Sequence, residues 1–464
     1  MKIHSKKDQS FFLRGQRNNK SLMNIYLKLE IKNRDFLSRL LLGMYCASKG
    51  DDVLIGDDKI IHNIENGTLN PGIFLEKSIT PSNSRMSQLR NLKKRKFVIF
   101  SLDEESGLLP KKYDSFKKSR FSKKSLNLTD KVLCWGKFDF DQLKNYYKSY
   151  KKKFTLTGNP RVDLWKSKFD PLFMDKKIKA GNSVLISSNF LIGVSKKRTS
   201  DYIEMYKKLG YFENQKIKEY FNDFHILFSF QLMLKFTDLI NHLSKKYPNV
   251  KFILRPHPNE DEEIWKKILN ERKNLIITKS KNIAYWIIKS KLTIHNGCMG
   301  GIEAFARNKN VLSYRPIKNK FENDFVNSIS NQAYNINQVD QFIDQIFKKK
   351  KNKRKLSSNQ KKFNNRFGNL NSKKFNYQEI YNEFYKFKSP ILSNKNNYSK
   401  ITFKGVLRKL KRLFVKKIEN PKFQSIESIE LENAVNKYKK LIPELNNVNF
   451  KILDENIIRI YATN

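Results

Sequence analysis

Only 3 cysteines stand in the 464 residues, Cys46, Cys134 and Cys298. They lie far apart and no pair has metal-ligand spacing, so the pattern is that of free thiols in a reducing compartment rather than a disulfide framework. No apolar run reaches the ~18 residues needed to cross a bilayer. The amino terminus lacks the apolar core of a signal peptide, and residues 1–21 read as a loose basic leader. No internal repeat of fixed length is present. Acidic residues are scarce: 44 Asp and Glu face 93 Lys and Arg, a formal charge of +49. These absences point to a cytoplasmic protein. Its positive field favours anionic partners such as phosphate-bearing substrates, nucleic acid or anionic lipid. The Lys residues are scattered, however, so the codon bias of an AT-rich genome explains the charge as well.

What is present is ample core material. Apolar residues make up 39% of the chain, with 35 Phe and 20 Tyr. The length suits roughly three domains of ~150 residues, or two larger ones with a tail. From residue 22 the chain alternates apolar runs with amphipathic stretches: 24–31 (strand), 35–48 (helix ended by Gly50), 52–56 (strand). This is the opening of a parallel α/β domain. Further strands are expected at 97–102, 131–135 and 154–158, with a domain break between 160 and 180, set at residue 170. A second α/β domain, 171–348, opens with the strand at 182–190. A polar helical insertion is read at 198–223, a long amphipathic helix at 224–246, and strands at 251–255, 275–278, 292–295 and 311–316. Residues 348–374 are rich in Lys, Asn and Ser and read as solvated. The remainder, to 464, reads as a basic, helical tail. Within it, 403–415 repeats apolar residues every three or four positions with Lys and Arg between, a pattern that fits a helix on anionic lipid and equally a helix packed on the protein.

The chain is organised around residues 292–305. A strand there runs into a glycine-rich turn (His295, Asn296, Gly297, Gly300, Gly301), and a helix opens at 302. Glycines admit a ligand to the backbone, and free N–H groups at a helix start favour an anion. Glu303, in the first turn, suits the helix dipole and is within reach of a sugar hydroxyl. A second junction, residues 252–259, ends in Arg255 and His257. Strand ends of one sheet that carry polar groups converge where open α/β sheets bind ligands. Ser187, Ser188 and Asn189 either line that cleft or cap the next helix. Asp103, Glu104 and Glu105 end the strand at 97–102. Clustered carboxylates raise one another's pKa, which suits a general base; a solvated acidic turn is the plainer alternative.

Several segments taken in order resemble the bacterial surface carbohydrate biosynthesis proteins with a GT-B-like fold. They are Glu-Ile-Lys-Asn-Arg-Asp at 30–35, Asp103-Glu-Glu with Gly107, Gly-Asn-Pro-Arg-Val-Asp at 158–163, Ile-Ser-Ser-Asn-Phe at 186–190, Arg-Pro-His-Pro at 255–258, and His295-Asn-Gly through Glu303-Ala-Phe. They cover about 25–315. The resemblance implies two Rossmann-like parallel-sheet domains facing a cleft, and transfer of a sugar from a nucleotide donor to a surface glycan or lipid-linked glycan. More distantly, the chain is similar to bacterial sialyl- and Kdo-type transferases that use CMP-sugars. It shares their acidic pair and His257-Pro258, while the place of their Ser/Thr pair reads Asn296-Gly-Cys-Met-Gly.

The implied chemistry assigns acceptor deprotonation to Glu104 or Glu105 beside Asp103. His257 serves the leaving phosphate and Arg255 neutralises its charge. Gly300 and Gly301 cradle phosphate, Glu303 holds ribose, and His295 lines the pocket or is a satisfied core histidine. No cofactor and no metal are expected; Asp51, Asp52, Asp57 and Asp58 read as loop or cap residues. Two other functions fit the same residues. One is a nucleotide-sugar epimerase of the same fold. The other is a non-enzymatic polyanion binder, although no nucleic-acid motif is present and no nucleic-acid partner is expected.

Overall fold

Short apolar runs that end in polar residues form parallel strands here, because helices cover both faces of the sheets they make. The structure is a computed structural model. It describes residues 22–106, 113–174, 181–190, 194, 225–318, 322, 324–347, 356–368, 370–388, 394, 396–412 and 426–463. The expected leader at 1–21, Gly107, the insertion at 198–223 and residues 413–415 lie outside the described residues.

The first strands are β1 (Asn24–Lys28), β2 (Asp52–Gly56), β3 (Ile73–Glu76), β4 (Val98–Leu102), β5 (Lys131–Cys134) and β6 (Phe154–Leu156). Next come β7 (Ser183–Ser187), β8 (Lys251–Arg255), β9 (Leu275–Ile277), β10 (Leu292–His295), β11 (Asn310–Tyr314) and β12 (Asn331–Ala333). The chain closes with β13 (Val448–Asp454) and β14 (Ile457–Ala462). One sheet has the order β13-β14-β2-β1-β3-β4-β5-β6 and the other β12-β11-β10-β7-β8-β9. This is the mixed α/β architecture with two parallel sheets that the GT-B-like reading anticipates. In the second sheet β7 pairs with β8 on one side and β10 on the other. The strand order reverses at that point, the usual ligand position in an open α/β sheet.

By internal packing the chain divides into two units, 1–101 with 124–131 and 377–464, and 102–123 with 132–376. In the first unit, β1 and β2 are buried throughout. The helix Lys32–Ser48 covers them with Phe36, Leu40, Leu41 and Met44. Gly43 of that helix lies against Ile55 and Val53. Charged residues meet at the carboxyl ends of β1 and β3: Lys28 pairs with Asp58 at 2.7 Å, and Arg85 with the fully buried Glu76 at 2.6 Å. Asp52 accepts from Tyr398 and Arg459, and Asp57 from the Lys59 amide and Asn456, so these aspartates secure loops and strand starts.

The C-terminal region corrects the sequence reading in two places. Residues 448–462, read as part of a helical tail, form an antiparallel hairpin whose second strand pairs with β2. Gly56 has room for no side chain there: a Cβ would lie 2.5 Å from the Asn456 carbonyl oxygen. Within 348–374, read as solvated, Leu356–Phe367 is a helix. Its Phe363 and Phe367 are buried in the second unit. They stack with Trp165, Trp135, Phe305 and Phe325 at centroid distances of 5.4 to 6.4 Å. Two aromatic rings one turn apart anchor a helix whose remaining composition is polar.

In the second unit the core runs through β7, β8, β10 and β11. It includes Phe236, Leu239, Ile240 and Leu243 of the helix His225–Lys246 and Trp265 of the helix Glu262–Ile268. This core fixes the strand ends that carry the candidate site.

Candidate functional site

The turn after β10 owes its shape to His295. That ring is fully buried; Nδ1 accepts from the Gly297 amide at 2.8 Å and Nε2 lies 2.9 Å from Ser330 Oγ. Nδ1 is therefore the acceptor and Nε2 carries the proton. Burial pushes its pKa down to about 3, so the ring is neutral. His295 is a satisfied core histidine that holds the turn, and Gly297, at φ +92°, supplies the left-handed residue the turn needs.

The next two glycines are explained by packing. The helix opens at Met299, not at 302, so Gly300 and Gly301 stand inside its first turn. A Cβ at Gly301 would lie 2.5 Å from His295 Nε2, and one at Gly300 would lie 2.8 Å from Ile283 Cδ1. At the helix start the Gly301 amide donates to the Cys298 carbonyl at 3.1 Å, and burial raises the pKa of the Cys298 thiol while the neighbouring Ser187 hydroxyl and backbone amides oppose the rise. Cys298 Sγ also lies 3.3 Å from Ser187 Oγ. The Cys298 sulfur lies beside the amides expected to cradle an anion, 3.5 Å from a Cβ placed at Gly300. Glu303, expected to hold ribose, bonds Arg307 at 3.1 Å, and Arg307 in turn pairs with Asp170 and donates to the Leu164 carbonyl at 2.8 Å.

The open space lies beside this turn. A cavity of about 230 Å³ is lined by Asn189, Phe190, Asn296, Gly297, Arg315 and Asn327 among others. That is below the ~300–1,000 Å³ of a whole small-molecule site. Asn296 donates to the Asn189 carbonyl, and its Oδ1 is buried with no hydrogen-bond partner. Arg315, at the end of β11, makes two 2.6 Å contacts with Glu322. Tyr314, Arg315, Glu322 and Asn327 were missed by sequence reasoning. The only signal was that Arg315 closes a strand.

A further missed residue, Glu260, organises the β8 junction. It is 2% exposed. Its carboxylate accepts from the Phe190 amide at 2.6 Å, Trp265 Nε1 at 3.0 Å and the His257 amide at 3.3 Å, and also bonds the Ser188 hydroxyl. His257 Nδ1 accepts from the Asn259 amide at 3.2 Å, which leaves the proton on Nε2. Burial lowers its pKa, so the ring is a neutral donor. Arg255 donates to the carbonyls of Thr278 and Lys281, and burial pushes its pKa down to about 10.

The carboxylates after β4 divide by environment. Asp103 is clasped by Arg120 at 2.8 and 2.9 Å and accepts from the Glu105 amide. Burial raises its pKa and Arg120 opposes the rise. Glu104 is 3% exposed, 3.3 Å from Asn159 Nδ2 and 3.5 Å from Arg161. Glu105 is exposed. The segments at 103–105 and 158–163, separate in the sequence, thus meet through Glu104, Asn159 and Arg161.

No protein-family model and no curated protein matches the chain. Solved structures do. A Listeria monocytogenes protein assigned as UDP-N-acetylglucosamine 2-epimerase aligns with TM-score 0.50 at 12% identity, over 80% of this chain and 98% of its own. The Neisseria meningitidis UDP-GlcNAc 2-epimerase bound to UDP-GlcNAc aligns with TM-score 0.46 at 12% identity, over 79% and 100%. The wall teichoic acid polymerase TagF aligns with TM-score 0.48 at 11% identity, over 79% and 89%. The chain shares a fold with the first of these.

Proposed function

We propose that this protein is a nucleotide-sugar-dependent glycosyltransferase that builds a surface glycan. The observation that carries this reading is the cavity at the carboxyl ends of β7, β10 and β11, with Asn189, Asn296 and Arg315 in its lining. It stands at the reversal of strand order, where a nucleotide is expected. In this reading the acceptor hydroxyl attacks the anomeric carbon and its proton passes to Glu104. The bond from that carbon to the nucleotide phosphate breaks, and His257 Nε2–H donates to the leaving oxygen. Positioned acid–base help of this kind is worth ~10²–10⁴ in rate.

A nucleotide-sugar 2-epimerase is the second reading, favoured by the fold shared with the Listeria protein. One fold hosts both chemistries, so the test is chemical. A thermal-shift panel with CMP, UDP, GDP and CDP identifies the donor base; a ligand at a hundredfold its dissociation constant stabilises by ~2.7 kcal/mol. Conversion of that donor with no acceptor present makes the protein an epimerase. Release of nucleotide only with a glycan acceptor makes it a transferase. A panel with no shift removes the nucleotide site from both.

A further inference from the structure

We propose that the helix Ser399–Arg412 docks the protein on an anionic lipid surface. One face of this helix is committed to the C-terminal hairpin. Ile401 is buried, Arg408 pairs with Asp454, and Gly405 lies so close that a Cβ would sit 2.6 Å from the Leu453 carbonyl oxygen. Phe403, Val406 and Leu407, three and four residues apart, form a different face. They are 64%, 50% and 42% exposed. A soluble helix with one packed face ordinarily turns polar residues outward; here a second apolar stripe faces solvent.

The charge of the element selects the partner. Besides the paired Arg408, Lys400, Lys404, Lys409, Lys411 and Arg412 fall within the helix, and no Asp or Glu does. Apolar residues beside Lys and Arg are the combination that seats a helix among anionic headgroups. A second copy of the chain is disfavoured, because a two-fold contact brings this same basic patch against itself. A nucleic-acid backbone would satisfy the cations and leave Val406 and Leu407 in water.

The test is sedimentation of the full chain with vesicles of phosphatidylcholine alone or mixed with phosphatidylglycerol. Binding is expected to the mixed vesicles only and to weaken with salt. Phe403→Glu with Val406→Glu is expected to reduce partitioning by at least about tenfold, since each charge near an anionic surface is worth about fivefold. Lys400→Glu with Leu407→Glu, both at positions exposed to solvent, gives a second measure should the first pair melt early. Equal binding to both vesicle types, no binding, or unchanged binding by both variant pairs overturns the proposal. So does a dimer that the Phe403 pair abolishes without any lipid binding. Nucleotide-induced stabilisation of the same variants is read separately and is expected to match the parent. Loss of lipid binding and failure of the proposed chemistry therefore give different results.

Discussion

Gly301→Ala decides what the glycine-rich turn is for. In an ordinary helical position the change stabilises by ~0.5–1 kcal/mol, because glycine loses more backbone freedom on folding. Here the new methyl would lie 2.5, 2.6 and 2.8 Å from three atoms of the His295 ring. The ring has nowhere to go: it is fully buried and held at Nδ1 by Gly297 and at Nε2 by Ser330. Overpacking of this kind costs ~1–3 kcal/mol, and each hydrogen bond lost as the ring shifts costs ~1 kcal/mol more. The net expectation is a loss of about 1–3 kcal/mol. At ~2–4 °C per kcal/mol for a unit of this size, the melt falls by several degrees. Gly300→Ala is expected to lose less, because its nearest neighbour is the flexible end of Ile283. A Gly301→Ala protein as stable as the parent refutes the packing account. If it also loses its nucleotide-induced shift, the amides at 300–301 face a ligand after all.

The carboxylates after β4 are expected to separate by role. Glu104→Gln loses ~10²–10⁴ in turnover and a smaller part of its stability, because the carboxylate is buried beside Arg161, whereas Asp103→Ala, which removes the carboxylate that clasps Arg120, costs about 1.5–3 kcal/mol of stability for each charged hydrogen bond lost; equal effects on turnover and melt from both would merge the two roles. Phe363→Ala is expected to cost ~3–5 kcal/mol, read by urea unfolding, and a loss below ~1 kcal/mol would return the helix Leu356–Phe367 to the status of a solvated segment. His295 is neutral when folded, with a pKa near 3, and ~6.5 when unfolded. The unfolded chain therefore binds the proton first: the stabilisation is complete above pH ~6.5 and declines as the pH falls toward 3. His295→Gln is expected to flatten that slope in pH-dependent melts, and an identical slope would remove His295 from it.

Much of the architecture was legible because parallel strands buried on both faces are written as apolar runs with polar ends. The runs at β4, β8 and β10 needed no partner to be recognised. The C-terminal hairpin was overlooked although the signal was there. Val448, Phe450 and Ile452 alternate with polar residues, Ile458 and Ile460 answer them, and Glu455-Asn456 stands between. Phe363 and Phe367 also carried a signal, their four-residue spacing, which the surrounding Lys and Asn diluted. A window average cannot see an anchor made of two rings.

The candidate site was legible in place more than in role. His295, Gly300 and Gly301 stand at the strand end where they were expected, yet they bind one another and Cys298. A glycine makes room for any close neighbour, and a ligand is only one such neighbour. The residues that organise the neighbouring junction left no local trace. Glu260 bonds the nearby His257 amide and Trp265, and it becomes a hub when Ser188 and Phe190, about seventy positions earlier, are brought to it by the pairing of β7 with β8. Buried polar groups must be satisfied, and that requirement is met across the fold. Several buried side-chain atoms among the described residues stay unsatisfied, Asn63 Oδ1 and Thr293 Oγ1 among them, so such an atom gains functional weight only beside a cavity. Asn296 is a cavity-lining residue whose buried Oδ1 is such an atom. Its position makes the cavity at β7 and β10, rather than the glycine pair, the place where a nucleotide is expected to be held.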